Sequence, residues 1–440
     1  MIIPSGLLLL IVLLILGVPV LYCFGWVIIL YSMTLGYSAL ALIPTMYGKL
    51  GSFTLLSIPL FIMAGGIMEK GKIGDALVDL IEGLLYKIKG CLAVILPVTC
   101  AVFGSVCGSG AATLSCIGSL LLPKMRDKKY PMEMMAALAA CSAPLGMLIP
   151  PSSIQIVVAW SANLSVLACF LSTVIPGIIL TSLLSLTSWV MVRRNKNIQN
   201  VDIGEAVLKD PTFYRKMLGQ RTRFALPALL MPVIILGSIY SGIMTATESA
   251  AVAVFYAIPV AVFVYKAVKL RALKDIFINT ATITGTVMVM VVMTMVMGQI
   301  LTMENFPTRI LVFFTSLSED KNIILLAINL FLVVIGMIMD DTCATMLVTP
   351  LLMPLMVELG GSPYQMAAIL GVNLGMGNVT PPTAPYLYMS AQMANVSTLS
   401  VTKYVLIYIL FAYIPTLILT TYIPELSTFL PKLLLGSRGI

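Results

Sequence analysis

The chain has 440 residues, 60% of them hydrophobic and 10% charged, with 26 Lys and Arg against 18 Asp and Glu. A mean hydropathy of +1.05 is more apolar than a water-soluble fold of this size requires, which excludes a soluble enzyme and implies a polytopic membrane protein. No histidine is present, so neither a Ser-His nucleophile pair nor a histidine-based zinc site is available.

Residues 5–30 read as a first span running outward from a cytoplasmic N-terminus. The stretch is too long for a signal peptide's apolar region and lacks a small-residue cleavage site. Residues 52–70 return inward. Residues 72–89 place Leu77, Leu80, Ile81, Leu84 and Leu85 on one face, the pattern of a helix lying along the interface. Residues 91–123 have basic residues on both flanks. About 33 residues can cross and return only as two half-length helices, which predicts a re-entrant hairpin open to the cytoplasm.

Segments 131–162, 166–192, 224–243, 246–266 and 281–303 then alternate across the bilayer, with the hydrophilic stretch 193–223 as a cytoplasmic linker. A second hairpin, 322–357, has few basic flanks and falls on the outer side. Residues 363–394 and 398–422 finish the chain and leave the C-terminus outside. The net charge of +8 supports this path. Four basic blocks (Lys70 to Lys89, Lys124 to Lys129, Arg193 to Arg223, Lys266 to Lys274) together with Lys403 hold 21 of the 26 Lys and Arg, and all fall on the cytoplasmic side. Phospholipid headgroups of the bilayer, and no nucleic acid, are the polyanion this charge implies. The eight cysteines show no Cys-x-x-Cys spacing and read as small buried hydrophobes.

The chain also repeats itself. Thr113, Pro123, Met135-Ala136-Ala137, Gly146, Pro150-Pro151 and Ala162-Asn163 recur in the same order as Thr345, Pro354, Met366-Ala367-Ala368, Gly377, Pro381-Pro382 and Ala394-Asn395. The spacing between the two copies is constant to within a single position. Because one hairpin opens inward and the other outward, the repeats are expected to be inverted. That pattern, with Gly/Pro breaks at matching positions, points to the ion and substrate site of a secondary transporter. The expected organisation is an N-terminal scaffold span and short helix (1–50), a first repeat (51–170), scaffold spans around the linker (171–280), a second repeat (281–397) and a C-terminal span with its tail (398–440).

The first hairpin turns at Gly104 to Thr113, where three glycines and two serines would aim helix-end N–H groups and free carbonyls into one cavity. The alternative is tight helix packing through Gly104 and Gly108. Each Pro-Pro pair removes two N–H donors and must unwind its helix, freeing carbonyls or simply kinking the chain. Asp340 and Asp341 at the second turn are candidates for function, with Asp341 or Thr342 as the alternative cap of the second half-helix, and the two roles are compatible. Thr245 to Glu248 fits a capping box more than a catalytic carboxylate.

Two sodium sites are therefore expected. One uses Ser105, Gly108 and Ser109 with carbonyls near Gly146 and Pro150. The other uses Asp340, Asp341, Gly377, Thr380 and Thr383. Pro151, Ser152, Asn373 and Pro382 are expected to face the substrate. No Lys or Arg lies at membrane depth in this core, so a bound Na+ would supply the positive charge an anionic substrate needs. An intramembrane serine protease built on Gly108-Ser109-Gly110 lacks a general base, and a purely structural membrane subunit is the remaining alternative class.

At Ser57-Ile58-Pro59-Leu60-Phe61, Gly104 to Thr113, Leu148 to Ser152, Thr245 to Ala251 and Asn373 to Pro382, the sequence resembles the large membrane subunit of the tripartite ATP-independent periplasmic (TRAP) transporters. The resemblance covers almost the whole chain. It implies an all-α, elevator-type carrier in a bacterial inner membrane, driven by sodium, with a periplasmic C-terminus. It implies two partners, a periplasmic substrate-binding protein and a small four-helix membrane subunit. The substrate it implies is a small organic anion such as a dicarboxylate, a sugar acid or sialic acid. A free-standing organic-anion carrier of a related ion-transporter family is the runner-up. Cys107-Gly108-Ser109-Gly110 departs from the family pattern, where this turn is often richer in serine.

Overall fold

The computed structural model describes residues 2–436 except 38–43, 45–46, 49, 194–197 and 199–210. Among the described residues the regular structure is entirely helical. Among the described residues six helices are long and apolar enough to cross a membrane, at Val166–Arg193, Tyr214–Tyr240, Ala246–Val264, Arg271–Met303, Lys321–Ile338 and Thr398–Tyr422. A seventh crossing is made if Met132–Leu148 and Ser153–Ser161, bent by 46°, are counted together. The chain is a polytopic membrane protein.

The N-terminal stretch departs from expectation. Residues 5–30 form two helices, α1 (Ile2–Ile15) and α2 (Val20–Leu35), separated by Gly17 at φ +78° and by Pro19. The Tyr31 hydroxyl donates to the Ile3 carbonyl at 2.7 Å, whereas one straight helix would hold those residues about 42 Å apart. Gly6 makes room for the Tyr31 ring, since a Cβ there would lie 2.3 Å from it. Glycine and proline at the break stop the helix, and the Tyr31 contact folds it back. A cytoplasmic N-terminus inferred from a single crossing loses its basis.

Helix α3 (Ser57–Lys70) leads into the amphipathic α4 (Ile73–Leu85), where Leu77 and Ile81 are buried and Leu84 is exposed. Lys124 pairs with Asp79 and Glu82 of α4, each at 3.5 Å. The first hairpin consists of α5 (Cys91–Cys107), then α6 (Gly110–Thr113), a π-helical turn at Leu114–Gly118, and α7 (Ser119–Asp127). The broken segment that follows is α8 (Met132–Ser142), α9 (Leu145–Leu148) and α10 (Ser153–Ser161).

Next come α11 (Val166–Arg193) and α12 (Pro211–Tyr240). Most of the expected linker 193–223 lies outside the described residues, but from Pro211 on it is helix. There Arg221 donates to the Asp79 carbonyl at 2.7 Å and Tyr214 to the Gly83 carbonyl at 3.1 Å, so the start of α12 is fastened to α4. Helix α13 (Ala246–Pro259) opens with the capping box: the Thr245 N–H donates to Glu248 at 2.8 Å, and the Glu248 N–H to the Thr245 hydroxyl at 3.3 Å.

The 34-residue α14 (Leu270–Met303) is followed by α15 (Phe306–Leu317). The sequence assigns no element to 306–317, yet this helix follows α14 as α4 follows α3. The second hairpin is α16 (Lys321–Ile338) with α17 (Asp341–Glu358). At 18 residues α16 is long enough to cross by itself, longer than the half-length arm expected within 322–357. The second broken segment is α18 (Pro363–Gly377) with α19 (Pro385–Ala394). The chain ends in α20 (Thr398–Tyr408), a π-turn at Ile409–Tyr413, α21 (Ile414–Tyr422) and α22 (Glu425–Leu435).

The core is centred on the first limbs of the two broken segments. Ala136, Ala137, Ala140, Ala367 and Ala368 are fully buried, and such small side chains let helices approach closely. All eight cysteines are free and buried.

Candidate transport site

At the first hairpin tip, Gly108 adopts φ +62° and its N–H closes α5 onto the Gly104 carbonyl at 2.9 Å, the usual job of a glycine at a helix C-terminus. Ser109 is extended, and its hydroxyl caps α6 by accepting from the Ala112 N–H at 3.5 Å. The Ser109 carbonyl accepts from the Thr113 hydroxyl at 2.8 Å. Ser105 is buried, with its hydroxyl donating to the Val102 carbonyl at 2.6 Å.

The first broken segment meets this tip backbone to backbone. A Cβ on Gly104 would lie 2.4 Å from Gly146 Cα, one on Gly146 would lie 2.8 Å from the Ser109 carbonyl oxygen, and one on Gly108 would lie 2.7 Å from the Pro151 carbonyl oxygen. The Gly108 carbonyl also accepts from Ser153, at 3.3 Å from N–H and 3.0 Å from the hydroxyl. The residues four positions after Gly146 and Met147 are prolines, so those carbonyls have no helical N–H to accept from. Buried Ser152 caps α10 through the Gln155 N–H at 3.3 Å. The Pro150–Pro151 and Pro381–Pro382 peptide bonds are both cis.

The second tip has the same plan. Asp340 caps α17 by accepting from the Thr342 N–H at 3.1 Å, and Asp341 accepts from that same N–H at 2.9 Å. Thr345 donates to the Asp341 carbonyl at 2.6 Å, as Thr113 does to Ser109. A Cβ on Gly377 would lie 2.4 Å from the Gly336 carbonyl carbon. Thr383 donates to the Met337 carbonyl from both N–H (3.2 Å) and hydroxyl (2.7 Å), the part Ser153 plays in the first half. The Thr380 hydroxyl donates to the Met376 carbonyl at 2.7 Å, and the Gly377 carbonyl accepts from the Thr380 N–H at 3.0 Å. The Pro382 carbonyl accepts from Tyr388 at 2.8 Å.

Asn373 is engaged away from the tip. Its amide donates to Asn329 at 2.8 Å and to the Ile369 carbonyl at 3.0 Å, and Asn329 continues to Thr421 at 3.0 Å. That chain ties α18 to α16 and α21 rather than to the tip. Asn378, five residues on, is the amide facing the carboxylates: its nitrogen lies 3.5 Å from Asp341. Among the described residues the ion pairs join Lys124 to Asp79 and Glu82, so neither Asp340 nor Asp341 has a cationic partner.

Tyr386 was not singled out from the sequence. Its hydroxyl contacts the Met147 sulfur at 3.4 Å and fills the space a Cβ on Gly110 would occupy, so a side chain of the second half seals the first tip. The signal was available. Residue 155 is its repeat equivalent, and Gln155 likewise crosses over, donating to the Ala367 carbonyl at 3.0 Å.

Both tips and both broken segments lie within a match to the family model "Tripartite ATP-independent periplasmic transporter, DctM component", which spans residues 7–426. The chain belongs to this family. It is a family of transporter permeases, not of enzymes. Similar proteins include the isethionate TRAP transporter permease of Oleidesulfovibrio alaskensis, 33% identical over 384 residues, covering 87% of this chain and 59% of that longer relative. The C4-dicarboxylate TRAP large permease of Pseudomonas aeruginosa is 31% identical, with 86% of each chain covered. The sialic acid TRAP large permease of Vibrio cholerae is 29% identical over 94% of this chain and 98% of that one. Among solved structures, the Alcanivorax borkumensis YdaH transporter shares the fold with a TM-score of 0.62 at 14% identity, covering 87% of this chain and 88% of that one.

Proposed function

We propose that this TRAP large permease carries a small organic anion across a bacterial inner membrane, driven by sodium. A periplasmic binding protein delivers the anion, and a small four-helix membrane subunit stands beside the permease. The observation that carries the reading is the matched pair of tips, each a capped hairpin turn locked by glycine contact to a Pro-broken helix. Isethionate, C4-dicarboxylates and sialic acid, the substrates in the relatives' names, are all organic anions, which supports the substrate class without choosing a member.

The two-repeat arrangement has support in one contact. A Cβ on Gly375 would lie 2.9 Å from Pro144 Cβ, and these two positions are equivalents in the repeat, in register with Gly377 and Gly146. Equivalent residues meet where a twofold axis relates two halves.

The donor set suits sodium. It comprises carbonyls, hydroxyls and carboxylates, and no cluster of three His, Cys, Asp or Glu occurs among the described residues. The first site would draw on Ser105, Gly108, Ser109, Gly146 and Pro150, and the second on Asp340, Asp341, Thr380, Thr383 and Gly377. Sodium bound there offsets the unpaired Asp341 and presents positive charge to the anion. Asn378 adds an amide to the second site beside Asp341.

The test is uptake into proteoliposomes holding both membrane subunits. With the binding protein present, an inward sodium gradient should drive uptake with a sigmoidal sodium dependence. Ser109→Ala and Thr380→Ala should each raise the half-saturating sodium concentration. Uptake without the binding protein would favour a free-standing carrier, and a hyperbolic dependence with both variants at wild-type values would exclude the two-site arrangement.

A further inference from the structure

Two cavities of about 350 Å³ each flank the tips. One lies between the end of α10 (Trp160) with Asn163 just past it, the last turns of α14 (Gly298, Gln299), and the first half of α17 (Met346, Pro350). The other lies between α19 (Met389, Met393), the end of α3 (Glu69) and the return arm of the first hairpin (Ser115, Ser119). They are repeat mates. Pro350 is the repeat equivalent of Ser119, Met346 adjoins the equivalent of Ser115, and α14, like α3, runs into an amphipathic helix. On the topology proposed above, the first opens to the periplasmic side and the second to the cytoplasm.

Their chemistry differs. The second cavity carries Glu69, which accepts from Ser115 at 2.8 Å, along with Asp75 and Lys70. Among the described residues no charged side chain lines the first. Its Trp160 indole, its Ser161 hydroxyl and its Asn163 and Gln299 amides are hydrogen-bond donors, and among the described residues none of these side chains has a partner within the chain. Donors without an opposing carboxylate suit an anion that keeps part of its hydration. Met346 stands five residues past Asp341, about 7.5 Å along α17, which puts the cavity within one step of the second tip.

We propose that the first cavity is a receiving site, where the organic anion is held by neutral donors before it reaches the hairpin tips. The proposal rests on the carrier reading above. Its repeat mate, lined by the two carboxylates of Glu69 and Asp75 against the single cation of Lys70, disfavours the anion and serves release.

Gly298 provides the test. A Cβ there would meet nothing within 4 Å because it projects into open space, and a side chain in place of helical glycine favours the helix. Gly298→Cys should fold normally, and the eight native cysteines are buried. Its thiol should react from the periplasmic side with anionic 2-sulfonatoethyl methanethiosulfonate faster than with the cationic trimethylammonium analogue, each relative to a free thiol. About fivefold is expected, the worth of one added hydrogen bond. Equal rates, or a preference for the cation, would overturn the proposal whether or not the protein transports the anions tried. Gly298→Leu should cut uptake more than about tenfold, a loss well beyond that one hydrogen bond, with unfolding unchanged. Wild-type uptake by Gly298→Leu would equally overturn it, whereas absent uptake by the wild type would count against the carrier reading alone.

Discussion

The contact between Gly377 and Gly336 is the place where a single methyl should do most harm. A Cβ on Gly377 would stand 2.4, 2.5 and 2.7 Å from the carbonyl carbon, Cα and carbonyl oxygen of Gly336. Carbon atoms rest about 3.5–4.0 Å apart, and all three neighbours are backbone, so no rotamer change relieves the overlap. The end of α16 must retreat from α18 by about 1 Å, and overpacking of this kind costs about 1–3 kcal/mol. Gly377→Ala should therefore lower the unfolding midpoint in detergent and reduce uptake. The reciprocal change is gentler, because a Cβ on Gly336 would come no nearer than 3.2 Å to Gly377 Cα. Gly285→Ala in α14 is the control: nothing lies within 4 Å, and alanine gains about 0.5–1 kcal/mol over glycine inside a helix. The expected order of stability is Gly285→Ala, then Gly336→Ala, then Gly377→Ala. If Gly377→Ala proves as stable as Gly285→Ala, the close backbone packing at the second tip is wrong.

Two further outcomes follow from the hydrogen bonds. Glu248→Gln exchanges the charged half of the capping box for a neutral one, so it should lower thermal stability while leaving the half-saturating sodium concentration unchanged; a raised sodium requirement with normal stability would show that Glu248 serves the ion instead. Asn373→Leu strands the buried Asn329 carbonyl, a loss of about 1–3 kcal/mol, and should shift the unfolding midpoint without altering the apparent affinity for the anion. A change in that affinity at unchanged stability would return Asn373 to the substrate site.

The sequence by itself determined what depends on near neighbours along the chain. The duplication, the Pro-Pro breaks, the capping box at Thr245 and the apolar face of Leu77 and Ile81 are all written within a few residues, because capping, proline chemistry and helical periodicity act over one or two turns. The resemblance to the TRAP large subunit rests on such local runs as well, and the family match confirms it. Tertiary structure decided which segments face each other. Residues 5–30 contain enough apolar length for one crossing, and only the reach of Tyr31 to Ile3 shows that they fold back. Asn373 sits four residues before Gly377 on the same helix, yet Asn329 and Thr421, on helices far from it in sequence, draw its amide elsewhere and leave Asn378 at the carboxylates. Tyr386 seals the tip at Gly110 from the opposite half of the chain. The two cavities exist only where three separated helices fail to close. Close packing between distant segments is decided by the shapes of both partners at once, and a single segment carries only half of that information.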